Sequence, residues 1–277
     1  MKLSHKVEFY FHRLASPTLL KRLIAQRDRI PKHWLPTPLI VSLTSYRPRF
    51  EYLHLALLSL LNQTIRPDRV VLWVAQDEIE ALPPRIASLA AAGLEIRGTT
   101  DLKSYKKLIP ALYTFPGAYI ATADDDVIYP RNWLELLCLG QKERQGVITC
   151  HRAHRVPQPE SGKLRPYHEW EWDVFDSAAA RPSTDLVATG VGGILYPPNA
   201  FHPDITNNSV FSEICPEADD MWFYWMARRA GSLYLKVGSH FRMMHLPGSI
   251  DDGLFARNVN DPQIDNLLQK FGNPLEM

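Results

Sequence analysis

The sequence changes abruptly from apolar to acidic near residue 124, and this change limits the folds that the chain can adopt. Residues 118–123 form an apolar run whose length and flanks are typical of a buried strand. Asp124, Asp125 and Asp126 follow this run directly. A helical pattern opens at Pro130. We therefore expect the three carboxylates on a strand-to-helix turn, the place where open α/β sheets bind ligands.

Three adjacent carboxylates at the end of a strand repel one another, and partial burial raises the cost of that repulsion. A hard divalent cation removes the cost, because carboxylate oxygens suit Mg²⁺ or Mn²⁺. The alternation of a strand turns Asp124 and Asp126 to one side and Asp125 to the other. The pattern therefore predicts a metal ion between Asp124 and Asp126, and a solvated acidic turn is the alternative.

The overall composition limits the class of protein. The chain has 277 residues, of which 45% are hydrophobic, so it can form one large α/β domain or two small ones. The formal net charge of +1 is too small to indicate a nucleic-acid partner. Three widely spaced cysteines favour a reducing compartment over a disulfide framework. We find neither an apolar run of about 18 residues nor a signal peptide, so we expect a cytoplasmic protein.

The first 35 residues are predicted to form a basic helical extension to a main domain at residues 36–277. Residues 1–33 contain eight Lys or Arg against Glu8 and Asp28, a net charge of about +6. Pro17 is expected to divide the extension into two helices. One interpretation is a helical pair packed on the domain. The other is peripheral contact with an anionic membrane at its inner face, where each basic residue contributes about 1 kcal/mol.

Strands alternate with helices in the first half of the main domain. Apolar runs predict four strands, at residues 39–43, 69–74, 94–97 and 118–123. Helical patterns lie between them, at residues 50–63, 83–92 and 106–113. This order implies an α/β fold with a mainly parallel sheet and right-handed crossovers.

The second half of the main domain is less regular. Residues 151–188 show no clear period and are interpreted as a long functional excursion. The remaining elements are helices to about residue 145 and at residues 216–230, and strands at residues 147–149, 190–196 and 232–237.

A polar turn follows the first strand. Thr44, Ser45, Tyr46 and Arg47 provide hydroxyl groups and a guanidinium that can hold the ribose and diphosphate of a nucleotide. An ordinary strand-to-helix turn is the alternative. The chain contains neither Gly-x-Gly-x-x-Gly nor a Walker loop, which argues against dinucleotide and P-loop binding.

A basic segment precedes the fourth strand. It contains Asp101, Lys106 and Lys107. Lysine serves as a point charge for phosphate, so this segment can face a diphosphate. A solvated basic surface is the alternative.

A glycine cluster and an acidic pair lie in the second half of the chain. Gly192 and Gly193 can let backbone amides approach a ligand closely, with a packing requirement as the alternative. Asp219 and Asp220 open a helix, where the helix dipole favours carboxylates. Simple capping would explain them, but either one could also act as a general base toward a sugar hydroxyl.

Taken in order, these motifs resemble those of a known family. They are VSLTSYRPRF, SYKKLIPAL, ATADDDVIYP, GVGGILYPP and ADDMW, all within residues 38–250. The set is similar to a group of bacterial glycosyltransferases encoded with surface-polysaccharide genes, of the capsule or lipopolysaccharide type with an Asp-x-Asp motif. The resemblance implies a Rossmann-like GT-A fold and a nucleotide-diphosphate sugar donor. It also implies Mn²⁺ or Mg²⁺ as cofactor, and a saccharide or lipid-linked saccharide acceptor.

The resemblance also implies roles for individual residues. Asp124 and Asp126 match the metal and diphosphate site, with Asp125 between them at the donor. Asp220 matches the second acid of the Glu-Asp pair that serves as the base in inverting members. Asp219 replaces the glutamate of that pair, so the choice between the two acids stays open.

The family often takes a further metal ligand from a C-terminal histidine. His245 is the first candidate for this ligand and His240 is the second.

Two other classes of protein share part of this pattern. The triplet nearly fits the nucleophile motif of haloacid-dehalogenase phosphatases. That family carries its nucleophile on the first core strand and its late acidic pair after a strand, and it has Thr or Val where this chain has Ile128. A non-catalytic saccharide-binding module would instead use aromatic residues that stack on sugars, namely Tyr167, Trp170, Trp172, Trp222 and Trp225.

Overall fold

The computed structural model describes residues 3–144, 146–157, 164–239, 243–247 and 260–277, without the side chains of residues 3–8 and 143. The chain forms two compact units. The first comprises Met1–Leu136 and Arg242–Asp252, and the second comprises Leu137–Phe241 and Gly253–Met277. The N-terminal helix lies within the first unit, and the predicted boundary after residue 35 stays a prediction.

The first unit contains four parallel strands of the main sheet. They are β1 (Leu39–Thr44), β2 (Arg69–Ala75), β3 (Leu94–Thr99) and β4 (Tyr119–Ala123). Their order is β4-β1-β2-β3, and every pairing among them is parallel. β1 and β4 are almost wholly buried, as expected for parallel strands covered on both faces. Each strand lies within two residues of its predicted bounds.

The helices that lie wholly in the described part of the first unit are α1 (Leu3–Gln26), α2 (Leu53–Leu61), α3 (Pro84–Ala87) and α4 (Ile109–Thr114). The helix predicted at residues 83–92 consists of α3 followed by a 3₁₀ turn, Ser88–Ala92. Gly93 ends this turn with φ of 99°, in the left-handed region that glycine adopts without strain. No helix among the described residues has both the length and the hydropathy needed to cross a membrane.

The prediction that Pro17 divides the N-terminal segment is wrong, because α1 is one continuous helix. Proline has no N–H to donate to the carbonyl of Arg13, four residues earlier. Ser16 Oγ donates to that carbonyl oxygen at 2.9 Å. The acceptor that Pro17 leaves open is therefore satisfied within the helix.

A short antiparallel pair also belongs to the first unit. It joins β5 (Val127–Ile128) to β11 (Met244–His245). Ile128 and Met244 pack in one buried apolar cluster with Phe9 of α1. The segment around His245 is therefore attached to the residues that directly follow the acidic triplet.

The second unit contains three more strands, which pair with one another. They are β6 (Ile148–Cys150), β9 (Ile194–Tyr196) and β10 (Tyr234–Lys236). β6 pairs with β10 in parallel and with β9 in the antiparallel direction. Together with the parallel strands of the first unit, this confirms the predicted α/β fold with a mainly parallel central sheet flanked by helices.

Helices and a second strand pair complete this unit. α5 (Trp133–Glu143) leads into it, and α6 (Asn208–Ile214), α7 (Asp219–Arg229) and α8 (Asn260–Phe271) lie within it. β7 (Ala153–Arg155) and β8 (Leu186–Ala188) form an antiparallel pair inside the region predicted as an irregular excursion. Ala153–Arg155 contains one apolar residue in three, so no apolar run marked β7 in the sequence.

Candidate functional site

The acidic triplet lies just beyond the carboxyl end of β4, in the first unit. β4 ends at Ala123, and Asp125 and Asp126 occupy a turn before β5. Arg49 Nη1 donates to Asp125 Oδ1 at 2.8 Å and to Asp126 Oδ2 at 2.9 Å. The structure thus differs from the predicted alternation, because a turn and not a strand sets the direction of these carboxylates.

Asp125 is buried and fully engaged. Its Oδ2 accepts a hydrogen bond from Ser45 Oγ at 2.5 Å, while its Oδ1 accepts from Arg49. Burial raises the pKa of Asp125, and the charge of Arg49 opposes that rise. Ser45, predicted as a nucleotide-binding residue, therefore anchors the middle carboxylate of the triplet.

Asp126 carries a carboxylate oxygen without a hydrogen-bond partner in the described part of the chain. Its Oδ1 is buried and meets no donor among the residues that the structure describes. Burial, together with the nearby charges of Asp124 and Asp125, raises the pKa of Asp126 to about 7. The chemistry of a buried acceptor among like charges suits a hard cation such as Mn²⁺ or Mg²⁺, and the binding of such an ion stays a prediction.

Asp124 is held from two directions. Lys107 Nζ donates to Asp124 Oδ1 at 3.1 Å. The backbone N–H of Asp124 donates to the hydroxyl oxygen of Tyr129 at 2.8 Å. Tyr129 is buried, which raises the pKa of its phenol well above the usual value. The basic segment and the acidic triplet, predicted separately, therefore meet in one cluster.

The two predicted lysines are buried rather than solvated. Lys106 forms an ion pair with Asp101, and the hydrogen bond from Lys106 lowers the pKa of that carboxyl. Lys107 pairs with Asp124. The alternative of a solvated basic surface is therefore wrong for both lysines. Lys107 alone of the two contacts the triplet, whereas Lys106 neutralises Asp101.

The other residues of the predicted nucleotide-binding turn have different environments. Thr44 Oγ1 donates to the carbonyl oxygen of Trp73 at 2.9 Å, which is a structural contact. Tyr46 is exposed, and the guanidinium of Arg49 lies 5.7 Å from its ring centroid. Arg47 is exposed, and its backbone N–H donates to Glu78 at 3.1 Å. Tyr46 and Arg47 are therefore the members of this turn whose side chains are open to a ligand.

Sequence reasoning missed Arg49 and Tyr129, although both touch the triplet. Arg49 lies two residues beyond the turn that was singled out, in the 3₁₀ turn Arg47–Arg49. The available signal was an arginine close to the end of β1, since side chains at the carboxyl ends of neighbouring parallel strands converge. Tyr129 offered no comparable signal, because an aromatic residue after a short strand is usually core.

His245 lies on the strand next to the triplet. It pairs across β11 and β5 with Val127, and the backbone N–H of Leu246 donates to the carbonyl oxygen of Asp126 at 2.7 Å. His240 lies outside the described residues. Within the described ranges, no group of three or more His, Cys, Asp or Glu side chains is already arranged to hold a metal ion. The structure thus brings the backbone of His245 to the triplet, and its role as a ligand stays a prediction.

A second candidate cluster lies in the second unit, where α7 begins. The backbone N–H of Gly190 donates to Asp220 Oδ2 at 3.0 Å. Asp219 is buried, whereas Asp220 is half-buried. The glycine cluster and the acidic pair, 30 residues apart in the chain, therefore meet.

The glycines do not begin a strand as predicted. Gly190–Gly192 form a 3₁₀ turn, and the strand β9 starts only at Ile194. Gly193 has φ of 89°, a conformation that other residues rarely adopt. A Cβ on Gly192 would lie 2.7 Å from Cβ of Arg152. Backbone geometry and close packing therefore account for Gly192 and Gly193, and their predicted contact with a donor stays a prediction.

The aromatic residues separate into core and surface. Tyr167, Trp170, Trp222 and Trp225 are buried. Trp172 is partly exposed, and its ring stacks on His154 with centroids 5.3 Å apart. Burial, assisted by the charge of Asp220, raises the pKa of Tyr167 to about 12. Trp172 is therefore the member of the predicted set whose ring is accessible to a sugar.

Comparison with known proteins identifies neither a family nor an activity for this chain. No family model matches the chain, and no curated protein matches it. Among solved structures, the chain is similar to a crystal structure of S. aureus TarS, residues 1–349, with 13% identity and a TM-score of 0.45. The similarity covers 75% of this chain and 59% of the TarS chain. At this identity and TM-score, the similarity assigns neither a family nor an activity.

Proposed function

We propose that the protein is a glycosyltransferase that uses a nucleotide-diphosphate sugar as donor. The observation that best supports this function is the acidic triplet at the end of β4, with the orphaned Oδ1 of Asp126. Ligands of open α/β sheets bind beyond the carboxyl ends of the strands. Arg49 and Lys107 pair with the triplet and offset part of its negative charge, which reduces its repulsion of a diphosphate.

The proposed acceptor is a saccharide or a lipid-linked saccharide in bacterial surface-polysaccharide synthesis. This part of the proposal rests on the resemblance of the ordered motifs. The exposed side chains of Tyr46 and Arg47 are the candidates for contact with the nucleotide.

Asp124 and Asp126 would hold Mn²⁺ or Mg²⁺, with His245 as a further ligand. The bound cation would stabilise the negative charge that develops on the departing diphosphate. Arg49 keeps Asp125 and Asp126 together through one nitrogen, and Ser45 fixes Asp125 from its other oxygen. These contacts hold the triplet in place before any ligand arrives.

Asp220 would accept the proton of the acceptor hydroxyl. The N–H of Gly190 orients its carboxylate, which is half-buried, whereas Asp219 is buried. This difference in exposure favours Asp220 over Asp219 as the base. Attack by the activated hydroxyl on the face opposite the leaving group would invert the anomeric carbon.

A haloacid-dehalogenase phosphatase remains the main alternative enzyme. β1, β2 and β3 precede the triplet, whereas that family carries its nucleophile on the first core strand. Asp219 and Asp220 open α7 rather than following a strand. Both observations favour glycosyl transfer.

The test is incubation of the protein with a panel of UDP-, GDP- and CMP-sugars, with and without Mn²⁺. We expect the nucleotide to be released with one class of donor in the presence of Mn²⁺. Release of inorganic phosphate from sugar phosphates would support a phosphatase. Saccharide binding with no turnover of any donor would support a binding module.

Arg49→Gln gives a separate test of the cation site. This substitution removes the guanidinium that pairs with the buried carboxylates of Asp125 and Asp126. The loss of that ion-pair partner should lower the free energy of unfolding by about 3 kcal/mol. Mn²⁺ should then raise the melting temperature of this variant more than that of wild type, because the ion replaces the missing charge. Arg47→Gln is the matched control, since Arg47 is exposed.

Thermal unfolding with and without Mn²⁺ measures both effects. Equal destabilisation by Arg49→Gln and Arg47→Gln would contradict the pairing of Arg49 with the triplet. A Mn²⁺ response no larger in Arg49→Gln than in wild type would contradict the cation site.

A further inference from the structure

The outward side of α1 carries large apolar side chains that the described part of the chain does not cover. The exposed fractions are 56% for Tyr10, 68% for Phe11, 81% for Leu14 and 48% for Ile24. Tyr10 and Leu14 are four residues apart and so lie on one side of the helix, with Phe11 beside them. Exposed apolar side chains that cluster along one helix, rather than scattering singly, indicate an interaction surface.

The opposite side of α1 is packed, so this exposure does not come from a detached helix. Phe9 and Leu23 are buried, and the ring of Phe9 lies 5.3 Å from that of Tyr52. Arg22 Nη2 donates to Asn62 Oδ1 at 3.0 Å. These contacts fix which side of the helix faces outward.

Basic side chains accompany the apolar ones. Arg13 and Lys21 are exposed on α1, and Arg27 and Arg29 follow in the adjoining 3₁₀ turn. The sequence has no Asp or Glu between residues 9 and 27. Asp28, in the same 3₁₀ turn, is exposed and pairs with Arg66, so the surface along α1 itself combines apolar side chains with basic ones.

We infer that this face of α1, the α1 docking surface, binds an anionic lipid bilayer. On the exposed face of α1, the apolar side chains can enter the bilayer interface while the neighbouring basic side chains meet the anionic headgroups. A second copy of the chain would bring like charges together, so charge complementarity favours the bilayer over self-association. The α1 docking surface is separate from the acidic triplet, so its test can fail without affecting the glycosyltransferase proposal.

The first experiment is sedimentation of the full chain with vesicles. Wild type should sediment with vesicles of phosphatidylglycerol and phosphatidylcholine, and not with vesicles of phosphatidylcholine alone. About 1 M salt should release it, because the screening length then falls to about 3 Å. Arg13→Gln combined with Lys21→Gln should weaken partitioning about thirtyfold, since each basic side chain contributes about one factor of five.

Leu14→Asp tests the apolar part of the surface. The substitution should weaken partitioning by about tenfold or more, because the favourable transfer of the leucine side chain from water into the bilayer is lost. The variant should fold normally, since Leu14 is exposed in the structure. Tyr113→Asp is the matched control, because Tyr113 is 65% exposed on α4 and should not change partitioning.

A fluorescent label distinguishes insertion from charge attraction alone. The three native cysteines are buried, so a polarity-sensitive dye can be attached selectively at Leu14→Cys or Tyr113→Cys. Anionic vesicles should shift the emission to the blue for the label at position 14 and leave the label at position 113 unchanged.

Three results would overturn the inference. One is a wild-type protein that does not sediment with anionic vesicles at low salt. Another is a label at position 14 whose emission does not shift when anionic vesicles are added. The third is a dimer in solution that Leu14→Asp dissociates, which would identify the α1 docking surface as a contact between copies.

Discussion

Replacing Asp126 with alanine should abolish sugar transfer while leaving the protein folded. The reason is that its buried Oδ1 meets no donor among the described residues, while its Oδ2 accepts a hydrogen bond from Arg49, which would keep Asp125 as a partner. Loss of a group that stabilises developing charge costs roughly 10²–10³ in rate, and loss of the cation as well should exceed this. The transfer assay with the donor identified by the panel measures the effect.

The stability of this variant follows from the pKa of Asp126. That pKa is raised from 3.8 to about 7, so the folded state binds more protons than the unfolded state between these values. Wild type without cation should therefore lose stability as the pH rises from about 4 to about 7. Asp126→Ala removes the responsible group, so its melting temperature should fall less over this range.

Thermal melts at several pH values and transfer assays with Mn²⁺ or EDTA check both parts. Glu80→Ala, which removes an exposed acid of the first unit, should behave as wild type in each. If Asp126→Ala kept most of its activity in EDTA, the metal site would be the wrong interpretation of the triplet. If it failed to fold, the side chain would instead be structural.

The parallel strands were predictable because their signal is local. Buried parallel strands are continuous apolar runs, and β1, β2 and β4 are buried almost throughout. The acidic triplet was predictable for a similar reason, since an acidic segment directly after such a run falls at the carboxyl end of the strand. In both cases a few neighbouring residues contain the information.

The contacts that build the clusters were not predictable, because they join distant parts of the chain. Arg49 meets Asp126 across 77 positions, and Gly190 meets Asp220 across 30. Burial of Lys107 also depends on what packs over it, which residue type alone does not reveal. Sequence order can identify the polar segments but not which of them pair.

Local rules also failed at two places in the chain, Pro17 and the glycines before β9. Pro17 was expected to end a helix, yet Ser16 Oγ bonds the carbonyl that proline leaves open. The glycines before β9 were expected in a strand, yet the positive φ of Gly193 makes a turn there. Each exception has a physical cause that arises only in the folded chain.

Asp220→Asn should lower the rate of transfer by roughly a hundredfold or more while donor binding stays nearly intact. An amide cannot accept the proton of the acceptor hydroxyl, and a positioned base contributes on this scale. The asparagine oxygen can still accept the hydrogen bond that Gly190 N–H gives to Asp220, so the start of α7 should keep its geometry. Steady-state kinetics and donor titration separate the two effects, and Asp219→Asn is the matched control.

The pair of variants distinguishes the possible roles of the two acids. If Asp219→Asn is damaging and Asp220→Asn is harmless, Asp219 is the base despite its burial. If Asp220→Asn weakens donor affinity as much as rate, its carboxylate binds the donor and does not take the proton. With Asp220 as the base, the product should carry the anomeric configuration opposite to that of the donor. NMR of the product checks this, and a retained configuration would require a different role for Asp220.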